Sequence, residues 1–582
     1  MDLRPLEYRE LHGCEIRLFR LIVLDGADLV CELRNFELGK HPKYLALSYV
    51  WGDPSQTRPI IVNGQMFCAT ANLHDALYKL RNMQKESGEL WMWADAICVN
   101  QVDMAEKSKQ VPRMGDIYRS CERVVAWLGY PPEDKAACIN LFLEKATKVW
   151  ALTAGSDDNY TYHTAEGTMD LYQDYGLDAE DCLRGFGYLA AFPWWERMWV
   201  VQECVIHEKE PMLLIGNYTI RRLADIVRMP EGFLDLASEA ISDPQPWPTE
   251  MAALGIIQSR EMYHELGTMD DTATKLNYFI TGIGGTRKAT QAHDMIYGLL
   301  GLTNTTGLPS ELAPSYETPF PQVYQAYAKY IMEQSGSMET LHREEYHLGE
   351  YGAPSWVPDL RFPHGRKIMG VNSGLKKSGL AFSKDGCRLL SKSDFAGNVI
   401  AQFSFPGHFL DRDDDKNISA NLSRLEEVIV RKAASMRNTC IKTFRDELSR
   451  MIIGWLGYGG EMFLGTQELL LDPRDGRPSP PSLPDDQNYP DGEFWKRLNV
   501  IRGALWNYTC FVLENGCVGC YRTAARVAPV NSTASKEGVY WIVAAGEPFI
   551  LQQVGGGCSK FVACCHLEVQ GARNPEVDIV IV

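Results

Sequence analysis

Tyr44-Leu45-Ala46-Leu47-Ser48-Tyr49-Val50 is followed at once by Trp51-Gly52-Asp53-Pro54. A short, nearly continuous apolar run that stops at a Gly/Pro turn reads as a strand buried on both faces, the kind found inside a parallel sheet. In an open α/β sheet, the residues just past the carboxyl end of such a strand face the ligand crevice. Ser48, Trp51, Gly52 and Asp53 are therefore candidate ligand-binding residues; the plain alternative is a strand closed by an ordinary turn.

Outward from this strand the chain alternates. Leu90-Trp91-Met92-Trp93-Ala94-Asp95 reads as a second strand with a loop from Ala96 to Gln101, which brings Asp95, Asn100 and Gln101 to the same edge as Ser48. Arg123 to Gly129 is a third strand and Pro211 to Gly216 a further one. Leu73, Ala76, Leu77 and Leu80 recur at helical spacing behind Asn72, a plausible cap. Asp103-Met104-Ala105-Glu106 has the form of a capping box, and Val111, Met114, Tyr118 and Cys121 continue an apolar stripe. Pro112 either kinks that helix or stands in the first turn of a new one. Strand, helix, strand, helix, strand with short links predicts an α/β domain over residues 44–220 with a doubly wound parallel sheet. Two β-like runs around Asp25-Gly26 predict a hairpin or flap over residues 1–43, and Asn63-Gly64 marks another hairpin.

Phe192-Pro193-Trp194-Trp195-Glu196-Arg197-Met198-Trp199-Val200-Val201-Gln202-Glu203 is the second decisive stretch. If Trp195 to Glu203 is one helix, Trp195, Trp199 and Glu203 lie along one face. A carboxylate beside two indoles is either a buried acid needing a partner or an acid at the edge of an apolar cleft, where its proton affinity is tuned. Arg197 and Trp199 join the candidates; the alternative is a core stripe with Glu196 and Arg197 as a solvated pair.

The remainder sets the organisation. The 582 residues exceed one hydrophobic core, so several domains are expected. A polar insertion spans residues 151–181, and a helical region spans 221–350. The latter includes Asp294 to Gly301 as a helix stopped by glycine and an amphipathic Val323 to Met332. Residues 351–582 read as β-rich, with one long helical segment between Leu422 and Trp455 and a Pro/Asp/Ser-rich linker over 472–491.

Hydrophobic residues at 45% and charged residues at 23% match an ordinary globular protein. A net charge of −17 with no long basic run repels a phosphate backbone, which argues against nucleic acid as a partner. Sixteen cysteines scattered mostly through apolar segments point to a reducing compartment. No signal-peptide core follows Met1 to Glu10, and Met451 to Leu464 is too short and too broken for a membrane span, so a cytoplasmic location is expected. Cys517-Val518-Gly519-Cys520 with Cys558 and Cys564-Cys565-His566 has irregular spacing, and no metal site is expected. Gly282 to Gly285 lacks the lysine of a phosphate loop, and His293-Asp294 lacks a marked nucleophile.

Five segments in order, YLALSYVWG (44–52), LWMWADAICVNQ (90–101), QVPRMGDIY (110–118), VVAWLG (124–129) and RMWVVQE (197–203), resemble the fungal heterokaryon-incompatibility (HET) domain. The resemblance implies a layout similar to Toll/interleukin-1-receptor (TIR) domains, many of which cleave NAD at the nicotinamide–ribose bond with one glutamate. By that likeness Glu203 takes the catalytic role, NAD is a substrate and no cofactor is needed, and self-association or protein partners complete the site. The chemistry is consistent: the nicotinamide leaving group is already cationic, and a single carboxylate stabilises the oxocarbenium-like ribose. Three readings stay open: an incompatibility protein that triggers cell death by NAD loss or signalling, a non-catalytic interaction module, and a scaffold recruited to small-molecule (secondary-metabolite) biosynthesis.

Overall fold

The computed structural model describes residues 4–22, 29–87, 90–153, 179–220, 271–282, 287–303, 308–336, 351–361, 380–404, 426–438, 508–515, 517–522, 540–544, 548–556, 558–564, 566–567 and 576–582. Isolated positions between 252 and 264 and at 305, 424 and 441 are described as well. The Asp25-Gly26 turn, most of the 151–181 insertion, residues 451–491 and Cys565 lie outside them. The chain forms two compact units, Met1–Glu317 and Thr318–Val582.

The first unit is built on a nine-stranded sheet. Its strands are β1 (Glu15–Ile22), β2 (Val30–Glu37), β3 (Tyr44–Tyr49), β4 (Thr57–Val62), β5 (Gln65–Thr70), β6 (Trp91–Trp93), β7 (Arg123–Gly129), β8 (Met212–Ile215) and β9 (Tyr218–Ile220). They lie in the order β5-β4-β2-β1-β6-β3-β7-β8-β9. The expectation of a parallel sheet holds for its centre, where β6, β3, β7 and β8 run parallel. It is corrected outside it: β1 pairs antiparallel with β6 and with β2, and β9 pairs antiparallel with β8. The sheet is therefore mixed, and the N-terminal hairpin extends it rather than standing apart as a flap. The physical reason is that β6 would otherwise be an open edge of unpaired backbone groups; β1 covers it.

The burial of β3 and β7 matches their composition. In β3 every residue but Leu45 is buried, and in β7 every residue but Arg123. The helix α1 (Ala71–Ser87) packs Leu73, Ala76, Leu77 and Leu80 into this core. Its first turn is met by the Thr70 hydroxyl, which accepts from the Leu73 N–H at 3.4 Å. Asn72 is free for another task. Its amide donates to the Val50 carbonyl at 2.6 Å and accepts from the Trp127 indole at 2.9 Å, joining the ends of β3 and β7. Between β4 and β5, Asn63 and Gly64 both take positive φ, as a two-residue hairpin of this type requires.

Between β6 and β7 the chain forms α2 (Asp95–Cys98), α3 (Met104–Gln110) and α4 (Met114–Ser120). The expected loop after β6 is thus one helical turn. Pro112 lies in a single 3₁₀ turn, Val111–Arg113, that separates α3 from α4, which is the kink expected of a residue lacking a backbone donor. Only half of the capping box forms: Asp103 accepts from the Glu106 N–H at 3.0 Å. Glu106 does not reach back, because its carboxylate takes both guanidinium nitrogens of the buried Arg17, at 2.6 and 2.9 Å.

Three further helices are α5 (Ala136–Thr153), α6 (Ala179–Ala190) and α7 (Met198–Val205); beyond the sheet lie α8 (Thr272–Gly282) and α9 (Asp294–Leu300). The helix ends at Gly301 as expected, though with a φ of −63°, an ordinary right-handed value rather than a left-handed cap. The residue also serves close approach. A Cβ on Gly301 would stand 2.6 Å from the Gln202 side chain, and one on Gly115 would stand 2.9 Å from the Gly301 Cα. Helices α4, α7 and α9 therefore meet closely, with the Gln202 side chain fitted among their glycines.

In the second unit, α10 (Phe320–Ser335) buries Val323, Tyr324, Tyr327, Ala328, Ile331 and Met332, and Gly336 ends it with a left-handed φ of 64°. The strands between residues 389 and 581 pair mostly antiparallel around one long strand, Leu389–Ser404. Where a 422–455 helix was expected, the described residues show a π turn at Glu426–Val430 running into a short α-helix, Arg431–Met436.

The glycine contact gives a stability test. Gly115→Ala places a methyl group against backbone, which cannot rotate away, and is expected to lower the stability of the first unit by roughly 1–3 kcal/mol, read from urea unfolding followed by tryptophan fluorescence.

Candidate functional site

The proposed Trp195-to-Glu203 helix is interrupted. Pro193–Glu196 is a 3₁₀ turn, Arg197 is extended at φ −69°, ψ 133°, and α7 starts only at Met198. The cause is a bridge to a neighbouring segment: the Met198 N–H donates to the Lys288 carbonyl at 2.9 Å, and the Lys288 N–H donates to the Glu196 carbonyl. Trp195 consequently leaves the face that carries Trp199 and Glu203. It packs edge-to-face on Trp194, with ring centroids 4.8 Å apart, and its indole donates to the Leu189 carbonyl at 2.9 Å.

Glu203, in the last turn of α7, meets the end of β3. The Ser48 hydroxyl donates to its Oε2 and in turn accepts from the Trp194 indole N–H at 2.9 Å. The Arg197 Nη1 stands 3.6 Å from the same Oε2, close enough for charge attraction and too far for a hydrogen bond. The Glu203 side chain is 3% exposed and that of Arg197 is 20% exposed. Burial pushes the Glu203 carboxyl up to about 6, against the pull of Arg197 and of the Ser48 hydroxyl; Asp95 is near enough to add to the rise. Arg197 is held more firmly protonated by Glu203 and Asp95, which outweigh the effect of burial.

Asp95 forms the second acid of the cluster. Its Oδ2 accepts from the Trp51 indole at 2.7 Å, its Oδ1 accepts from the Ala96 N–H at 2.8 Å, and Gln101 braces its backbone carbonyl at 2.9 Å. Trp51 is 40% exposed and lies over this carboxylate. Gly52, next in the chain, has a φ of +79°, which a side chain rarely adopts.

The structure thus brings together Ser48, Trp51, Asp95, Arg197 and Glu203. It leaves Asp53 apart: that carboxylate accepts from the N–H and hydroxyl of Ser55 within its own turn, which holds it below the usual aspartate range. Asn100 also turns to local work, accepting from the Val102 N–H at 3.4 Å. Trp199 lies beside a different acid, Asp294, whose Oδ1 accepts from the Tyr316 hydroxyl at 2.6 Å. Sequence reasoning missed Tyr49, Trp194 and Asn72. Ser48 adjoins Tyr49, and Trp194 belongs to the quoted aromatic run, but which of these polar tips face the acid depends on the break at Arg197. Among the described residues no group of three or more metal-ligating side chains gathers.

Residues 44–203, from the start of β3 to Glu203, match the family described as heterokaryon incompatibility protein (HET). The chain carries a HET domain. It is also 25% identical, over 391 residues, to heterokaryon incompatibility protein 6, OR allele, of Neurospora crassa. That alignment takes in 57% of this chain and 55% of the relative, so the chain spans about half the length of the curated relative it matches. No solved structure matches the chain. The HET domain boundaries enclose Ser48, Asp95, Arg197 and Glu203, and Glu203 is its final matched residue. No helix among the described residues is long and apolar enough to cross a membrane.

The titration of Glu203 has a consequence for stability with a definite sign. Below its ordinary value of 4.5 the carboxyl is protonated in the folded and unfolded chain alike. Between 4.5 and about 6 the folded chain holds the proton more tightly, so stability is lost as pH rises through that window and stays lost above it. The stability of the wild type relative to Glu203→Gln is therefore expected to fall by about 2 kcal/mol between the lower limit of the window and about pH 7, as measured by urea unfolding of both proteins across the range. A difference that stays flat with pH overturns the assignment.

Proposed function

We propose that this protein acts in heterokaryon incompatibility and that its HET domain cleaves NAD at the nicotinamide–ribose bond, with Glu203 as the catalytic carboxylate. The observation that carries the reading is the placement of an acid of raised proton affinity at the carboxyl end of a central parallel strand. It lies among a serine hydroxyl, a second carboxylate and an exposed indole. The named relative and the HET match support the incompatibility half of the reading; the likeness to TIR domains and the chemistry of the cluster support the other half.

In the proposed reaction the C1′–N bond of the nicotinamide riboside breaks, the electron pair leaves with nicotinamide, and water adds to C1′ of the ribosyl cation and releases a proton to solvent. Glu203, ionised above about pH 6, faces the developing positive charge in a site of low dielectric, where a fixed carboxylate acts more strongly than in water. Asp95 adds a second negative charge, and the Trp51 indole offers a flat face for a ring. No cofactor enters the scheme.

A second reading has its own support in the 3% exposure of Glu203: the cluster is an internal brace and the domain works by binding other proteins. One experiment separates the two. Purified protein, at low and high concentration, is incubated with NAD and nicotinamide release is followed. The catalytic reading expects turnover that falls by about 100-fold or more in Glu203→Gln, with the melting temperature retained. Absence of turnover at every concentration, or turnover indifferent to Glu203→Gln, supports the brace.

A further inference from the structure

We propose that Arg197 is a displaceable plug: its guanidinium occupies the place between Glu203 and Asp95 that a ligand's cationic ring takes, and ligand entry turns the side chain outward. The ligand class, a pyridinium N-riboside, rests on the NAD-cleavage reading; the plug itself rests on geometry.

The first observation is how poorly Arg197 is bonded for a group so placed. Its Nη1 is inaccessible to solvent and has no hydrogen-bond acceptor, although a carboxylate oxygen lies 3.6 Å away. A structural guanidinium normally closes on such an oxygen through short, paired bonds. Arg17 shows that form in this same unit, bound to both oxygens of Glu106 at 2.6 and 2.9 Å. Displacing Arg197 therefore breaks attraction but no hydrogen bond from Nη1.

The second observation is an orphaned group facing the same space. The Tyr49 hydroxyl, in a residue only 2% exposed, makes no hydrogen bond of normal geometry. It lies close to Asp95 and to Arg197 without making a bond of normal geometry to Asp95. A buried hydroxyl without a well-formed hydrogen bond is costly, and here it stands near both Asp95 and Arg197. An oxygen-bearing ligand would satisfy it.

The third observation is a way out. The Arg197 side chain retains 20% exposure while that of Glu203 retains 3%, so part of the arginine reaches solvent although its Nη1 does not. Its backbone is extended and pinned to Lys288, outside the hydrogen-bonded body of α7, so rotation of the side chain leaves the helix intact. Once the guanidinium leaves, Glu203 and Asp95 flank the vacated volume with the Tyr49 hydroxyl near it: two anions and a hydroxyl, which select a cation carrying hydroxyl groups or oxygens.

The test uses N1-methylnicotinamide, a pyridinium cation with no glycosidic bond to cleave, and neutral nicotinamide as its control. Binding to the full chain is measured by calorimetry at about pH 8, with Glu203 ionised. Arg197→Met, which keeps the stem and drops the charge, is expected to bind the cation about tenfold or more tighter than wild type and to leave the affinity for nicotinamide unchanged. A folded Arg197→Met with no gain for the cation overturns the plug. Should that variant not fold, the wild type decides: reaction of Arg197 with phenylglyoxal, read by peptide mass spectrometry, is expected to speed up when N1-methylnicotinamide is added. An unchanged or slower reaction overturns the proposal. A cation gain without nicotinamide release from NAD in any form keeps the plug and removes the cleavage reading; release without a cation gain does the reverse.

Discussion

A carboxylate held out of water at the end of β3 is the constraint around which the first unit is arranged. Moving such a charge into the interior costs several kcal/mol after relaxation, and Glu203 recovers part of that through one hydroxyl donor and one guanidinium that stops short of hydrogen bonding. Burial wins, which is why its proton affinity rises although a cation stands beside it. A site tuned this way needs its parts fixed, since a shift of an ångström would let Glu203 reach either solvent or the Arg197 fork.

The fixing comes from helix α7 and its two ends. At the N-terminal end, the buried Arg287 donates to the Trp195 carbonyl and, at 2.8 Å, to that of Ala252, holding the turn that precedes Arg197. Burial pushes the Arg287 guanidinium down to about 10, against the weaker pull of Cys204 and Glu196. At the other end, Arg260 donates to the carbonyls of Cys204 and His207 at 2.9 and 2.6 Å, where cations complement the helix dipole. Along its flank, Gln202 is buried between Gly115 and Gly298: with its amide nitrogen toward the Gly298 carbonyl it spans 3.2 Å, and its oxygen accepts from the Gly115 N–H at 2.7 Å. The glycines that admit this contact set the depth of α7, and so the distance from Glu203 to Ser48.

Much of this was legible in the order of residues, for reasons that differ from place to place. The apolar run of β3 and its abrupt turn placed Ser48 and Trp51, because burial on both faces leaves a strand no polar positions before its end. Asp95 followed from the same logic applied to β6. The mixed sheet was not legible: β1 and β2 alternate as an isolated hairpin does, and nothing local shows that β1 pairs with β6. Helical spacing through Trp195 failed because a contact 92 residues away, between Glu196 and Lys288, overrides local propensity and extends Arg197. Gly301 has the sequence position of a helix stop and the structural role of a packing gap, two uses of the same missing Cβ.

The position of the cluster within the sheet follows from a further step. The connection leaving β3 leads to β4, on the β6 side of the sheet, and the one leaving β7 leads to β8 on the other side, so an open α/β sheet would place its crevice between the ends of β3 and β7. Here Asn72 fills that gap, bonded to Val50 on one side and Trp127 on the other, and a Cβ on Gly129 would come within 3.7 Å of its carbonyl oxygen. The polar groups gather instead on the β6 side, where Asp95 at the end of one strand faces the Ser48 and Glu203 pair at the end of the next. Trp51 spans that side through its bond to Asp95 and remains the most exposed member of the set. The cluster therefore presents the Trp51 indole to solvent, while Ser48 and Glu203 stay buried behind the strand ends.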